Sequence, residues 1–169
     1  MDNVVGLKYG NGTLGGTASN CSVVVAHTEM SCKTSVGVGS NLTFVATVGG
    51  HQGDYSSDYV HVAYHPPIVT GMTPNSGSSL GGTRVTVTGT YFGDAPAKGT
   101  DLLVNGSASD IISVSETRIV AELPISTAAV HYLVLRVGGQ FATYSKDTVT
   151  EYYAYKPVGL TPGLGPVRG

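Results

Sequence analysis

Two cysteines, five histidines and a few asparagines followed by Ser or Thr carry most of the chemistry open to this 169-residue chain. Cys21 and Cys32 stand on either side of a hairpin-like turn at His27-Thr28-Glu29. The ten residues between them let two thiols face each other across antiparallel strands. From the residues alone the pair is either a bridge or two separate buried thiols. A metal site lacks partners, because no second Cys pair or suitably spaced His accompanies them. His27, His51, His61, His65 and His131 form no ligand spacing; His61 and His65 share a face only on a helix, and their surroundings read as strand. No Ser/His/Asp set and no nucleophile elbow stands out, and Gly12-Thr13-Leu14-Gly15-Gly16 is simpler as a turn than as a phosphate cradle. Tyr152, Tyr153 and Tyr155 resemble a sugar platform, but the alternation sends Tyr153 and Tyr155 inward, as it does Val62 and Tyr64. The expectation is a protein without catalysis, metal or cofactor.

Asparagine chemistry is richer. Asn11-Gly12-Thr13, Asn20-Cys21-Ser22, Asn41-Leu42-Thr43 and Asn105-Gly106-Ser107 are sequons, each at an expected loop or strand end where a glycan can sit in water. Covalent sugar is therefore expected on Asn11, Asn20, Asn41 and Asn105, with Asn20 the most hindered if Cys21 is bridged. Only 12% of the residues are charged, against about 25% in ordinary soluble proteins. Sugar would supply hydration that ions do not.

The elements that must position these groups are strands. Arg84-Val85-Thr86-Val87-Thr88 alternates polar and apolar with period two, the pattern of a strand with one buried face. Similar runs are Val23–Val25, Leu42–Val48, Asp58–Tyr64, Ile119–Leu123 and Tyr132–Val137, and Gly49-Gly50, Asn105-Gly106 and Gly138-Gly139 bound several of them. Short strands at this spacing predict antiparallel sandwiches. Nine basic against eleven acidic residues give a net charge of -2, with no Lys/Arg cluster, which argues against nucleic acid or a basic membrane patch. No apolar run is long enough to span a bilayer. No secretory signal is visible at Met1-Asp2-Asn3, so an exported form would be a mature or internal piece.

The chain also repeats. Val25–Cys32 lies over Val114–Ala121 at an offset of 89, and the same offset lays Thr47-Val48-Gly49-Gly50 over Arg136-Val137-Gly138-Gly139. Val62–Pro66 falls on Tyr153–Pro157, and Thr73-Pro74 on Thr161-Pro162, at slightly different offsets. The unit is about 90 residues, a normal size for a small sandwich. One complete copy occupies 66–156. Residues 1–65 match only its later part, and 157–169 match only its opening strand and turn. Even joined, the two fragments lack counterparts for about Gly82 to Pro96, the stretch that holds Val85, Val87 and the turn Gly89–Gly93.

At Ile68–Gly77 and then Gly81-Gly82-Thr83-Arg84-Val85-Thr86-Val87-Thr88-Gly89-Thr90-Tyr91-Phe92-Gly93, closing on Tyr153-Ala154-Tyr155-Lys156-Pro157, the sequence resembles the IPT/TIG family. These are immunoglobulin-like domains of plexins, cell-surface receptors and long extracellular repeat proteins. The resemblance implies an all-β fold of immunoglobulin-like (IPT/TIG) antiparallel β-sandwiches in tandem. Similar cysteine pairs are disulfides in IPT domains of receptors, so it also implies a Cys21–Cys32 bridge, added to the fold since Asp110 and Ala121 stand at the equivalent places. Such a bridge fits an oxidising, extracellular setting. Some members bind DNA beside a Rel-type module; the lack of positive charge argues against that here.

The expected function is a structural extracellular glycoprotein, a repeat or protomer of a filament or stalk. Its partners would be copies of itself or neighbouring IPT/TIG repeats, joined head-to-tail. In that scheme the apolar tail residues Val158, Leu160, Leu164 and Val167 enter the open head of a neighbour. The alternative is a ligand-binding or adhesive receptor ectodomain.

Overall fold

The alternation in Arg84–Thr90 places Val85 and Val87 on one face, and that face is the centre of the larger core. The computed structural model describes residues 5–56, 60–94, 99–126, 131–144 and 152–156, with the backbone alone at 131, 132 and 152–156. Every regular element among them is a strand. The first set is β1 (Val5–Gly10), β2 (Gly15–Thr17), β3 (Ser19–Val25), β4 (Glu29–Lys33), β5 (Thr43–Val48) and β6 (His51–Gln52). The second begins with β7 (Ile68–Thr73), β8 (Ser76–Ser78), β9 (Arg84–Thr90), β10 (Thr100–Val104), β11 (Ser107–Ala108) and β12 (Asp110–Ser115). It continues through β13 (Arg118–Glu122), β14 (His131–Val137), β15 (Gln140–Phe141), β16 (Thr143–Tyr144) and β17 (Tyr152–Lys156).

In the second set, two sheets face each other. One runs β12-β13-β9-β7-β16; the other runs β11-β10-β14-β17-β8, with β15 against β14. Between them lie Val85, Val87, Phe92, Leu102, Ile119 and Leu135, each at most 3% exposed. This is the layered core that alternation predicts. Two-residue turns with both residues at positive φ close the hairpins: Asn105-Gly106 between β10 and β11, and Gly138-Gly139 between β14 and β15. They match the handedness of twisted strands, which is why Asn and Gly stand there.

The first set repeats the pairing in reduced form. The sheet β2-β1-β5-β6 is laid out as β11-β10-β14-β15, and the hairpin β3-β4 as β12-β13. Even the single bridge Leu42↔Val62 falls where β14 meets β17 at His131↔Tyr153. The head core is small: Tyr9, Ala18 and Leu42 are its buried cluster, with Leu7, Phe44, Val62, Tyr64 and both cysteines packed against it.

The expected antiparallel sandwich holds with one addition, and one expected strand needs correction. Strand pairing is antiparallel except for two short parallel pairs, β16 with β7 and β17 with β8. Period-two alternation fixes which face a residue occupies, not the direction of its neighbour. The run Asp58–Tyr64 does not form a ladder strand in its described part, Val60–Tyr64. It exchanges two bonds with Leu42, after which the Tyr64 amide bonds Gly39 O at 2.9 Å, beyond the start of β5. Val62 and Tyr64 nonetheless face inward, half-buried against the head core.

Candidate functional site

Tyr64-His65-Pro66-Pro67 links the two sets, and the surfaces on either side of it meet. The lower end of the head presents Leu14, Val38 and Gly39. The upper end of the second unit presents Gly93 and the Gly138 turn. A Cβ added to Gly138 (φ 58°) would stand 2.6 Å from the Gly39 nitrogen and 2.8 Å from its Cα, so the two backbones approach as only glycines allow. Gly93 is held likewise, 2.8 Å from the Val38 side chain by the same construction. Gln140 Nε2 donates to Tyr64 O at 3.1 Å, and the His65 and Tyr91 rings lie 5.1 Å apart, centre to centre. Tyr91 itself sits at φ 66°, an uncommon conformation for a non-glycine residue.

Behind the junction lies a closed set of hydroxyls. Tyr64 Oη donates to Ser35 O at 2.8 Å, and Tyr9 Oη lies 2.8 Å from Tyr64 Oη and 2.8 Å from Ser35 Oγ. The Ser35 amide donates to Tyr9 Oη at 3.0 Å. One proton arrangement satisfies all four contacts: Tyr9 donates to Tyr64, Tyr64 donates to Ser35 O, and the Ser35 amide and hydroxyl both donate to Tyr9. Burial, with the neighbouring Tyr9 phenol adding to it, pushes the Tyr64 phenol up to about 12, against a smaller opposing effect of Ser35. Beside this network a groove of about 380 Å³ opens between Leu14, Val38, Tyr64 and Asp94. A second, of about 490 Å³, is lined by His65, Tyr91, Asp94 and Glu116.

Cys21 and Cys32 are joined as a disulfide that ties β3 to β4. It packs against the small head core, where covalent closure offsets the shortage of buried apolar surface. Asn11, Asn20, Asn41 and Asn105 are all exposed. The last three have φ of 50°, 57° and 48°, the left-handed region that asparagine tolerates. Asn11 Oδ1 accepts from the Leu14 amide at 3.0 Å and shapes the turn after β1. The tail residues Val158, Leu160, Leu164 and Val167 lie outside the described residues, as do the side chains of Tyr152, Tyr153 and Tyr155. Among the described residues no three His, Cys, Asp or Glu side chains gather as a metal site would require.

The sequence profile of the IPT/TIG domain matches residues 67–152, just over half of the chain. The chain belongs to the IPT/TIG family. Its IPT/TIG fold is the immunoglobulin-like β-sandwich described above. A relative, Fibrocystin-L of Mus musculus, is 30% identical over 99 residues, which is 56% of this chain but 2% of that protein. Two structures of the plexin A4 full extracellular region share the fold, with TM-scores of 0.51 and 0.52 at 15% and 16% identity. They cover 89% and 90% of this chain, and 14% and 12% of theirs. The IPT/TIG chain thus spans a small fraction of each protein it resembles.

Proposed function

We propose that this chain is a non-catalytic, load-bearing segment of an extracellular glycoprotein, a stretch of stalk in a receptor-type ectodomain. It reads as serial IPT/TIG-like units: an incomplete one over 1–65, a complete one over 66–156, and the opening of another over 157–169. The observation that carries this is the seating of Gly138 on Gly39, which fixes one unit against the next through backbone contact instead of leaving them on a loose tether. The disulfide and the four exposed sequons support an oxidising, sugar-bearing compartment. Family membership supports a binding or spacing module over an enzyme. Production in a mammalian secretory line, followed by intact-mass analysis with and without glycosidase, tests this. The expected result is an oxidised cysteine pair and sugar on Asn11, Asn41 and Asn105. A secreted chain with every asparagine bare and both thiols free would contradict it.

A second reading is favoured by one observation, the match of residues 157–169 to β7 and β8, two strands with no counterpart in the head among the described residues. In it, copies join head-to-tail, the tail 158–167 of one entering the head of the next, and build a filament. Sedimentation over a range of concentrations separates the readings, because only the filament grows with concentration.

A further inference from the structure

Two of the sequons occupy equivalent turns of the two units. Asn11-Gly12-Thr13-Leu14 joins β1 to β2, and Asn105-Gly106 joins β10 to β11, which hold the same places in the second unit. Asn11 and Asn105 are both exposed. What stands beside them differs. The 89-residue offset lays Tyr55 on Tyr144 and Phe44 on Leu133. In the second unit Tyr144 is half-buried, packs on the larger core and donates its hydroxyl to Leu133 O at 2.8 Å. In the head the equivalent Phe44 O accepts instead from the Ser56 amide, at 2.7 Å. The Ser56 hydroxyl also accepts from the Phe44 amide at 3.1 Å and donates to Val60 O at 2.8 Å. Ser56 takes the inward bonds, and Tyr55 is left 69% exposed.

That ring has a place. With Gly10, Asn11, Gly12 and Thr43, Tyr55 lines a groove of about 350 Å³, within the about 300–1,000 Å³ of small-ligand sites. Gly10 and Gly12 put no side chain into it, and a Cβ built on Gly12 would meet nothing within 4 Å. Both walls are held. The Gly53 amide donates to Ala46 O at 2.9 Å, so Tyr55 lies between two anchored residues, Gly53 and Ser56. Opposite it, Asn11 Oδ1 accepts from the Leu14 amide at 3.0 Å and the Thr13 amide at 3.4 Å. Those bonds engage the oxygen and leave Nδ2, the atom that carries sugar, outside the turn's hydrogen bonding. The Thr43 hydroxyl is committed to Gly10 O at 2.9 Å and ties β5 to the end of β1.

We propose that this groove is the seat of the first sugar of a glycan on Asn11, an N-acetylhexosamine packed against the Tyr55 ring. The chemistry suits that occupant. The axial C–H bonds of such a sugar form an apolar face within a polar rim, and tyrosine offers an apolar body with a polar tip. Attachment forms the Nδ2–C1 bond and breaks the C1–O bond to a lipid-diphosphate donor; Nδ2 gives up one proton and keeps the other. Once attached, the sugar meets Tyr55 intramolecularly, so a contact too weak to capture free sugar suffices. Asn105 is the internal contrast. Its turn is two residues shorter, and the counterpart of Tyr55 is spent on the core, so a sugar there lacks this ring.

The proposal rests on the glycoprotein reading, and the experiment separates the two. The whole 169-residue protein is secreted from a mammalian line with oligomannose glycans and trimmed by endoglycosidase to one N-acetylglucosamine per site. It is compared with Thr13→Ala, which removes the sequon but keeps Asn11 and its bonds to the turn amides. The pair is made with Tyr55, with Tyr55→Phe and with Tyr55→Ala, so that any effect of Thr13→Ala itself cancels between backgrounds. The expected result is a head transition about 3–6 °C higher with the sugar in the Tyr55 and Tyr55→Phe chains, and an increment below about 1 °C in Tyr55→Ala. Overhauser contacts should join the Asn11 sugar to the Tyr55 ring. Ser107→Ala, which strips Asn105, should have the same effect with and without Tyr55. An increment undiminished in Tyr55→Ala, or the absence of sugar–ring contacts, overturns the seat and leaves the glycoprotein reading standing. Peptide mapping that finds Asn11 bare overturns the glycoprotein reading at this turn, and the seat with it.

Discussion

Gly138 lies against Gly39 so closely that a methyl group on Gly138 would reach within 2.6 Å of the Gly39 nitrogen. Its counterpart in the head, Gly49, has the same φ of 58° and nothing within 4 Å of the same position. One turn is therefore used twice, once as an inter-unit contact and once facing open space. The preceding residues differ as well: Val137 belongs to the larger core and is 1% exposed, whereas Val48 is 46% exposed.

Gly138→Ala and Gly49→Ala should accordingly part company. Each forces a side chain to positive φ, at a cost of about 1 kcal/mol. Only Gly138→Ala also pushes the units apart. Small-angle scattering should show an altered profile for Gly138→Ala and an unchanged one for Gly49→Ala, while both lower thermal stability by a few degrees.

Replacing Cys21 and Cys32 together by serine should destabilise the head by about 3 kcal/mol, the loop-closure value for a bridge of this span. The loss should be local. Calorimetry should show the head transition moving down and the transition of the second unit in place, since its core holds neither cysteine.

Tyr64→Phe removes the donor to Ser35 O and the acceptor for Tyr9, and should cost the head about 1–2 kcal/mol. The wild-type protein should also show an alkaline weakness. A tyrosine in the unfolded chain titrates near 10, whereas Tyr64 is pushed up to about 12. Between those values the folded state keeps a proton that the unfolded chain has lost. The stabilisation is complete below pH 10 and is lost as pH rises through 12. Denaturant midpoints measured across that window should fall for wild type and fall less for Tyr64→Phe.

Gly89→Ala tests the larger core. Its Cβ would run into the Ile68 carbonyl and the Phe92 ring. We expect a loss of about 1–3 kcal/mol in the second unit alone, visible as a lower midpoint of that transition.

The strands, the two-residue turns and the cysteine hairpin were legible because each depends on local chemistry: alternation, Asn-Gly and Gly-Gly pairs, and spacing. The junction was not. Gly39 carries no mark of its role, since the backbone it admits comes from the distant β14–β15 turn. Tyr9, Ser35 and Tyr64 are ordinary residues until folding brings their hydroxyls within 2.8 Å. The run ending at Tyr64 alternates like a strand, yet its amide follows Gly39 away from β5, a tertiary preference that periodicity does not encode.

Residual dipolar couplings of the backbone amides measure most directly whether the two units move as one body. We predict that a single alignment tensor fits the couplings of β1–β6 and β7–β15 together, and that Gly138→Ala splits it in two. Two unrelated tensors in the wild-type protein would mean that Gly39 and Gly138 do not hold the units together, and the stalk reading would fall with them.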